Sequence, residues 1–218
     1  MTVAADRLHW FTECGYGYLP SDGTELYDLA YWAKYHEYKA SPIAEQLMAA
    51  RVALVEKHAP EARVVDIGIG SGHFIEKRES TLHPTREPFT AAFQSSTYGY
   101  DVNPHAISWL VDRKIWWDPW AQDPDAVTFW DSFEHLPRPH DLVARVRSTI
   151  FVSLPIFRDR AHVLVSKHFK PNEHLWYFTR QGFVRHLERL GFKLIDENQM
   201  ESELGREEIG TFVFRRRA

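Results

Sequence analysis

The run VVDIGIGSGHF, residues 64–74, limits the possible fold more than any other stretch of the chain. A short apolar strand ends in three glycines on alternate positions, Gly68, Gly70 and Gly72, and a helix start follows. Glycines placed this way let the backbone turn sharply and let a ligand touch it, while the opening helix offers free N–H groups. From Arg63 onward, short β-branched runs alternate with helical stretches, the pattern of a parallel sheet covered by helices on both faces. Strands are expected at 63–67, 97–101, 114–117, 126–131 and 148–154, with helices opening near Gly72, Pro104 and Pro139. A loop should follow from Pro155 to about residue 172, then a helix over 179–190 closed by Gly191. The last two runs, 192–196 and 209–215, are joined by a polar segment too short for a crossover helix, so they should pair antiparallel.

Upstream lies an aromatic region. Residues 1–23 combine Gly15, Gly17, Pro20 and Gly23 with Trp10, Phe11, Tyr16 and Tyr18, which suits an arm laid against a domain. Asp22 or Thr24 could cap a helix running to about Tyr38, on which Tyr27, Tyr31, Tyr35 and Tyr38 share a face. A second helix is expected from Ser41-Pro42 to Lys57, stopped by Pro60. The chain is thus divided at 59/60: an N-terminal arm with helices acting as a lid or substrate cap (1–59), and a cofactor-binding core (60–218). At 218 residues, with 44% hydrophobic and 26% charged residues, a single domain with elaborations accounts for the whole length.

The spacing narrows the ligand. A dinucleotide loop needs Gly-x-Gly-x-x-Gly, and both frames fail, at His73 and at Ile75; no Gly-Lys-Ser/Thr follows for a phosphate loop. Asp66, just ahead of the glycines, would repel a pyrophosphate but suits a ligand carrying an ammonium and a sulfonium, as S-adenosylmethionine does. In YGYDVNP, residues 98–104, a second apolar strand ends in Asp101, placed to accept hydrogen bonds from two ribose hydroxyls. The interval between the two aspartates exceeds a minimal strand-helix-strand step, so residues 78–96 read as an insertion.

With these two motifs and AVTFWDSFEHLPRP, residues 126–139, the sequence resembles the class I S-adenosylmethionine-dependent methyltransferases over about residues 60–216. Within them it is most similar to the small-molecule enzymes of the ubiquinone-biosynthesis type. The resemblance implies an α/β, doubly wound, mostly parallel seven-stranded sheet with a reversed final strand. It also implies that Asp66, Gly68, Gly70 and Gly72 hold the methionine end, and Asp101 and Val102 the adenosine. Asp131 and Ser132 would flank the cofactor, Asp118 would face the adenine edge, and Tyr31 is a candidate contact from the tyrosine face.

Methyl transfer is an in-line displacement on a sulfonium, so the protein mainly aligns the reactants and excludes water. A hydroxyl acceptor also needs a base, and His135, with Glu134 to orient it or bind the acceptor, has the right chemistry. Adjacent side chains on a helix diverge, so no direct contact between the two is implied. HLWYFT, residues 174–179, resembles the segment that many small-molecule methyltransferases place over the active site, which makes His174 a second candidate base. His162, His168 and His174 recur every six residues, matching no metal-ligand spacing, and Cys14 is the only cysteine; no metal site is expected. That lone cysteine, the absence of an export signal and the lack of a long apolar run point to the cytoplasm and away from membranes. The net charge of −4 argues against a polyanionic partner, and residues 131–134 lack the Asp-Pro-Pro-aromatic core of amino-directed DNA methyltransferases. A small-molecule acceptor is the leading expectation. A catalytically silent S-adenosylmethionine-binding module, a protein or nucleic-acid methyltransferase, and an interaction protein using the aromatic arm remain as alternatives.

Overall fold

A computed structural model describes residues 3–20, 29–60, 62–85, 89 and 95–217. In chain order the elements are α1 (Val3–Arg7), β1 (His9–Phe11), β2 (Tyr16–Tyr18), α2 (Leu29–Lys39), α3 (Pro42–His58), β3 (Val64–Ile67), α4 (His73–Leu82), β4 (Thr97–Tyr100), α5 (Pro104–Asp112) and β5 (Ala126–Trp130). A 3-10 turn (Phe133–His135) precedes α6 (Pro139–Arg145), β6 (Thr149–Phe157), α7 (Arg160–Val165), β7 (Trp176–Thr179), α8 (Arg180–Arg189), β8 (Phe192–Asn198), α9 (Met200–Glu203) and β9 (Ile209–Arg216). Among the described residues no helix is long and apolar enough to cross a membrane. The chain divides into two compact units.

The first unit holds Leu26–Trp130 and Arg145–Phe151. At its centre β3 runs parallel to β4 and to β5, with Asp66 opposite Gly99 on one side and Thr128 on the other. Every residue of β3 and β5 is buried, as expected where helices cover both faces of a parallel sheet. Ser41 caps α3 by accepting the Ala44 N–H at 3.1 Å, and Pro42 occupies the first turn. α4 carries a fully buried Arg78, whose guanidinium donates to Glu56 of α3 (2.8 Å), the Ser96 carbonyl and the Thr97 hydroxyl (both 3.0 Å). The expected strand at 114–117 shrinks to a single parallel bridge between Gly99 and Trp116. Lys114, at φ 59°, leaves the ladder in a turn on one side and Pro119 follows closely on the other, so too little extended chain remains for more. The helix expected up to Tyr38 is present as α2; its proposed caps, Asp22 and Thr24, and Tyr27 lie outside the described residues. In the expected insertion, α4 continues to Leu82, and the Phe89 ring packs on Trp109 with centroids 6.1 Å apart.

The second unit holds Met1–Glu25, Asp131–Ala144 and Val152–Ala218, and β6 thus contributes residues to both. Here the strand order is β1-β2-β7-β6, with β9 pairing with β6 and with β8. β6 and β7 are parallel, while β8 and β9 pair antiparallel as the sequence predicted, with a register shift between Leu194 and Asp196. The N-terminal arm is a hairpin: Tyr16 faces Phe11 on β1 and Phe178 on β7. At its turn Gly15 adopts φ 74°, and a Cβ there would fall 2.6 Å from the Thr179 hydroxyl. The segment expected as a loop from residue 155 to 172 is more ordered than that. Pro155 lies inside β6 rather than ending it, and the next N–H, that of Ile156, donates to the Glu208 carbonyl at 2.8 Å. Asp159 then caps α7 by accepting the His162 N–H at 2.8 Å.

Candidate active site

The glycine loop leaves β3 through three left-handed positions, Gly68 (φ 76°), Gly70 (φ 54°) and Gly72 (φ 74°). At two of these contact adds to φ, crowding a side chain at Gly70 and opposing one strongly at Gly72. A Cβ on Gly70 would stand 3.3 Å from the Tyr35 ring of α2, and one on Gly72 would stand 2.6 Å from the Trp109 indole of α5. Tyr35 therefore lies against the loop, whereas the side chain of Tyr31 is outside the described residues. Trp32, Phe89, Tyr98 and Trp109 pack around a buried group made of Ile69, Ile75, Ala106, Leu110 and Ile115.

Asp66 is buried at the end of β3, and its Oδ1 accepts a 2.7 Å hydrogen bond from the Thr128 hydroxyl of β5. Burial pushes its carboxyl up to about 7, against the opposing pull of Thr128 and of the Arg51 guanidinium, with Asp101 adding repulsion. Arg51 is itself buried on α3 and stacks over Trp130 at 4.8 Å. Asp101 follows β4, and its Oδ1 accepts the Asn103 N–H at 2.8 Å. Burial raises its carboxyl, while backbone N–H groups of Asn103, Val102, Ile69 and Gly70 hold it down. Asp101 is therefore tied electrostatically to the glycine loop itself. Asn103 caps α5 by accepting the His105 N–H at 2.9 Å, and Val102 is left exposed. Asp118 follows the bridge beside β4 and accepts the Trp120 N–H at 2.8 Å. Trp117 is buried against Tyr98, whereas Trp116 and Trp120 are exposed.

In the second unit the residues after β5 form a separate cluster. Asp131 adopts φ 58°, rare for a residue with a side chain, and its carboxylate accepts from Arg206 at 2.7 Å. Arg206 also pairs with the buried Glu201. Ser132 is buried and precedes the 3-10 turn that carries Glu134 and His135. Two hydrogen bonds fasten this turn to the approach of β7: the Leu175 N–H donates to the Glu134 carbonyl at 2.9 Å, and the Trp176 indole to the Leu136 carbonyl at 2.8 Å. His174 is carried in with them. The His135 and His174 rings meet edge to face at 4.8 Å, and His174 Nε2 is 3.9 Å from Glu134 Oε1. Glu134, His135 and His174 thus converge, contrary to the divergence expected of neighbours on a helix. The turn is 3-10 rather than α, and its partner comes from 39 positions further along the chain.

Burial sets the electrostatics of this cluster. It pushes the Glu134 carboxyl up to about 8, reinforced by the charge of Asp131. It pushes His135 down to about 4, and His174 down to about 2 with help from His135. Both imidazoles are neutral near pH 7.

Sequence reasoning missed several contributors: Thr128, Arg51, Trp109 and Arg206. Thr128 carried a readable signal, being the one polar residue in the buried strand AVTFW. Arg51 had a weaker one, a cation among the buried apolar positions of α3.

Solved structures that resemble this fold at low identity include the following three. A putative methyltransferase in complex with the Trm112 methyltransferase activator of Haloferax volcanii shares 14% identity over 87% of this chain and 95% of its own, with a TM-score of 0.58. Magnesium protoporphyrin IX methyltransferase of Synechocystis, solved with bound S-adenosylhomocysteine, shares 10% over 88% and 96%, with a TM-score of 0.52. An S-adenosylmethionine-dependent methyltransferase of Archaeoglobus fulgidus shares 16% over 87% and 100%, also at 0.52. No curated protein sequence matches the chain. At these identities the structures speak for the fold, α/β and Rossmann-like with a mostly parallel sheet. The sequence itself goes further, because the family described as "Methyltransferase domain" matches residues 35–197. That span takes in the glycine loop, Asp101, the Glu134-His135 turn and His174, and the chain belongs to the methyltransferase-domain family.

Proposed function

We propose that this S-adenosylmethionine-dependent methyltransferase acts on a small organic acceptor, as the small-molecule enzymes of the ubiquinone-biosynthesis type do. The observation that carries the cofactor assignment is the pair of carboxylates, Asp66 buried and Asp101 half-buried, at the ends of adjacent parallel strands around a left-handed glycine loop. Ligands of open α/β sheets bind beyond the carboxyl ends of the strands. In this reading Asp66, Gly68, Gly70 and Gly72 receive the methionine end, Asp101 and Val102 the ribose and adenine, and Asp118 the adenine edge. Asp131 and Ser132 flank the cofactor. Residues 1–59 act as a lid or cap over residues 60–218, with Tyr31 as a cofactor contact; the Tyr35 ring, 3.3 Å from where a Cβ on Gly70 would stand, supports that role for α2.

The acceptor's lone pair forms a bond to the methyl carbon while the carbon–sulfur pair stays on sulfur, giving neutral S-adenosylhomocysteine. The acceptor proton leaves to the Glu134, His135 and His174 group. A small-molecule acceptor is favoured by the net charge of −4, which offers no field for a polyanion. The single cysteine favours a reducing compartment, the cytoplasm.

Calorimetric titration of S-adenosylmethionine and S-adenosylhomocysteine tests the cofactor assignment. Asp101→Ala should weaken both by about 1–3 kcal/mol, the scale for hydrogen bonds to a charged group. Folded protein that binds neither ligand would remove the reading. Supplying methyl-labelled cofactor and cell extract tests the acceptor class: label should appear in the low-molecular-weight fraction, and label in protein or nucleic acid would move the acceptor to that class. His135→Ala should slow turnover while sparing cofactor affinity; an unchanged rate removes it from the chemistry.

A further inference from the structure

We infer that Glu134, His135 and His174 form a binding site for a divalent transition-metal ion of the zinc class. One carboxylate oxygen and one nitrogen from each imidazole lie within 4.8 Å of one another. Glu134 is 1% exposed and neither of its oxygens has a hydrogen-bond partner; His174 is 3% exposed and its Nδ1 has none; the Nδ1 of His135 has none either. Buried polar atoms are normally satisfied, and three converging residues that leave four such atoms without a partner ask for an occupant. The three groups do not satisfy one another, since the 3.9 Å between His174 Nε2 and Glu134 Oε1 is too long for a hydrogen bond.

Two imidazoles and a carboxylate are a donor set that suits zinc and its neighbours and leaves a coordination position open. Ligand atoms around a tetrahedral zinc stand about 3.4 Å apart when each is about 2.1 Å from the ion, so modest side-chain rotations would seat one. The frame is held in place independently of the ligands, by the Leu175 and Trp176 bonds to the carbonyls of Glu134 and Leu136. The spacing argument from His162, His168 and His174 missed the site because only His174 belongs to it. The other two are engaged elsewhere, at Glu208 and at the Glu207 carbonyl. What the open position does rests on the methyl-transfer reading: with the ion bound it would take the acceptor oxygen and favour its deprotonated form, replacing direct proton acceptance by the three side chains. Binding of the ion does not depend on that reading.

The test is metal content and titration on the full chain. After treatment with a chelator and dialysis, zinc chloride should restore one tightly held ion per chain. Cobalt(II) chloride should give the visible absorption of a low-coordinate cobalt site. His135→Ala, at a half-buried position, and the isosteric Glu134→Gln should each lower zinc affinity at least about tenfold. S-adenosylmethionine affinity, measured on the same samples, should stay within about twofold and so report that each variant is folded. Failure to retain a stoichiometric ion, or retention undiminished in both variants while cofactor binding persists, overturns the metal site alone. A chain that binds zinc but not the cofactor would instead overturn the cofactor assignment and leave the metal site standing.

Discussion

Asp66 gives the cofactor site its own pH dependence. In the unliganded protein its carboxyl sits at about 7, raised by burial, whereas a cationic methionine end favours the carboxylate. Binding must then release a proton at low pH and none at high pH. Affinity for S-adenosylmethionine should be level above about pH 8 and fall by up to about tenfold per unit well below 7. Titration calorimetry between about pH 5.5 and 8.5 reads this directly. A constant affinity across that range, or an Asp66→Asn variant with the same profile, would contradict it. The glycines are equally testable. Gly72→Ala must place a Cβ among Trp109 atoms 2.6–2.8 Å away at φ 74°, so it should cost at least about 1 kcal/mol in urea unfolding. A neutral result would mean that Trp109 and the loop yield more readily than their packing implies. Asp66, the glycines and Asp101 were legible in the sequence because each motif is local, a strand end and the turn after it. Arg51 and Thr128 stood out only as polar residues among apolar ones; their approach to Asp66 was hidden, since it comes from segments remote in the chain. The meeting of Glu134 with His174 was hidden for the same reason, because it depends on where β7 docks.

The elements were most legible where they were long or fully apolar. β3, β4, β5, β6, β8 and β9 fall, to within a few residues, where strands are expected from the sequence, and the reversed final pair follows from its short connection. β1 and β2 escaped because HWF and YGY, three residues each, are too short for alternation to register, and β7 because WYFT runs without a break into the helix that Thr179 caps. Their joint is Thr179, which does two jobs at the boundary of β7 and α8. Its hydroxyl accepts the Gly182 N–H at 3.0 Å as the cap of α8, and donates to the Gly15 carbonyl at 3.0 Å in the hairpin turn. Thr179→Ala should therefore cost about 1–2 kcal/mol, the upper range for losing a cap, and Thr179→Ser should restore most of it. Urea unfolding monitored by circular dichroism separates the two variants. Equal stability of the alanine and serine forms would show that the hydroxyl contributes nothing there.

At the scale of the whole molecule, neither compact unit is a continuous piece of chain, and residues 1–59 supply structure to both. In the first unit they provide α3, whose Glu56 pairs with the fully buried Arg78. Breaking such a pair by removing one partner leaves a buried charge uncompensated, at about 3–5 kcal/mol. α3 also brings Arg51 beside Asp66. In the second unit residues 1–59 provide β1 and β2, and β2 covers the edge of β7 along Tyr16–Phe178, Gly17–Tyr177 and Tyr18–Trp176. Without it a strand rich in aromatics presents unpaired N–H and C=O groups, a template for association with other chains. A lid or cap is removable only if it contributes nothing else, and these segments contribute to both cores. Expression of residues 60–218 alone should therefore give aggregated protein, or a soluble form without a cooperative unfolding transition, in either case with no measurable S-adenosylmethionine binding. Size-exclusion chromatography and thermal unfolding decide the matter. A monomeric, cooperatively unfolding 60–218 that binds the cofactor like the full chain would show that residues 1–59 are a detachable cap after all.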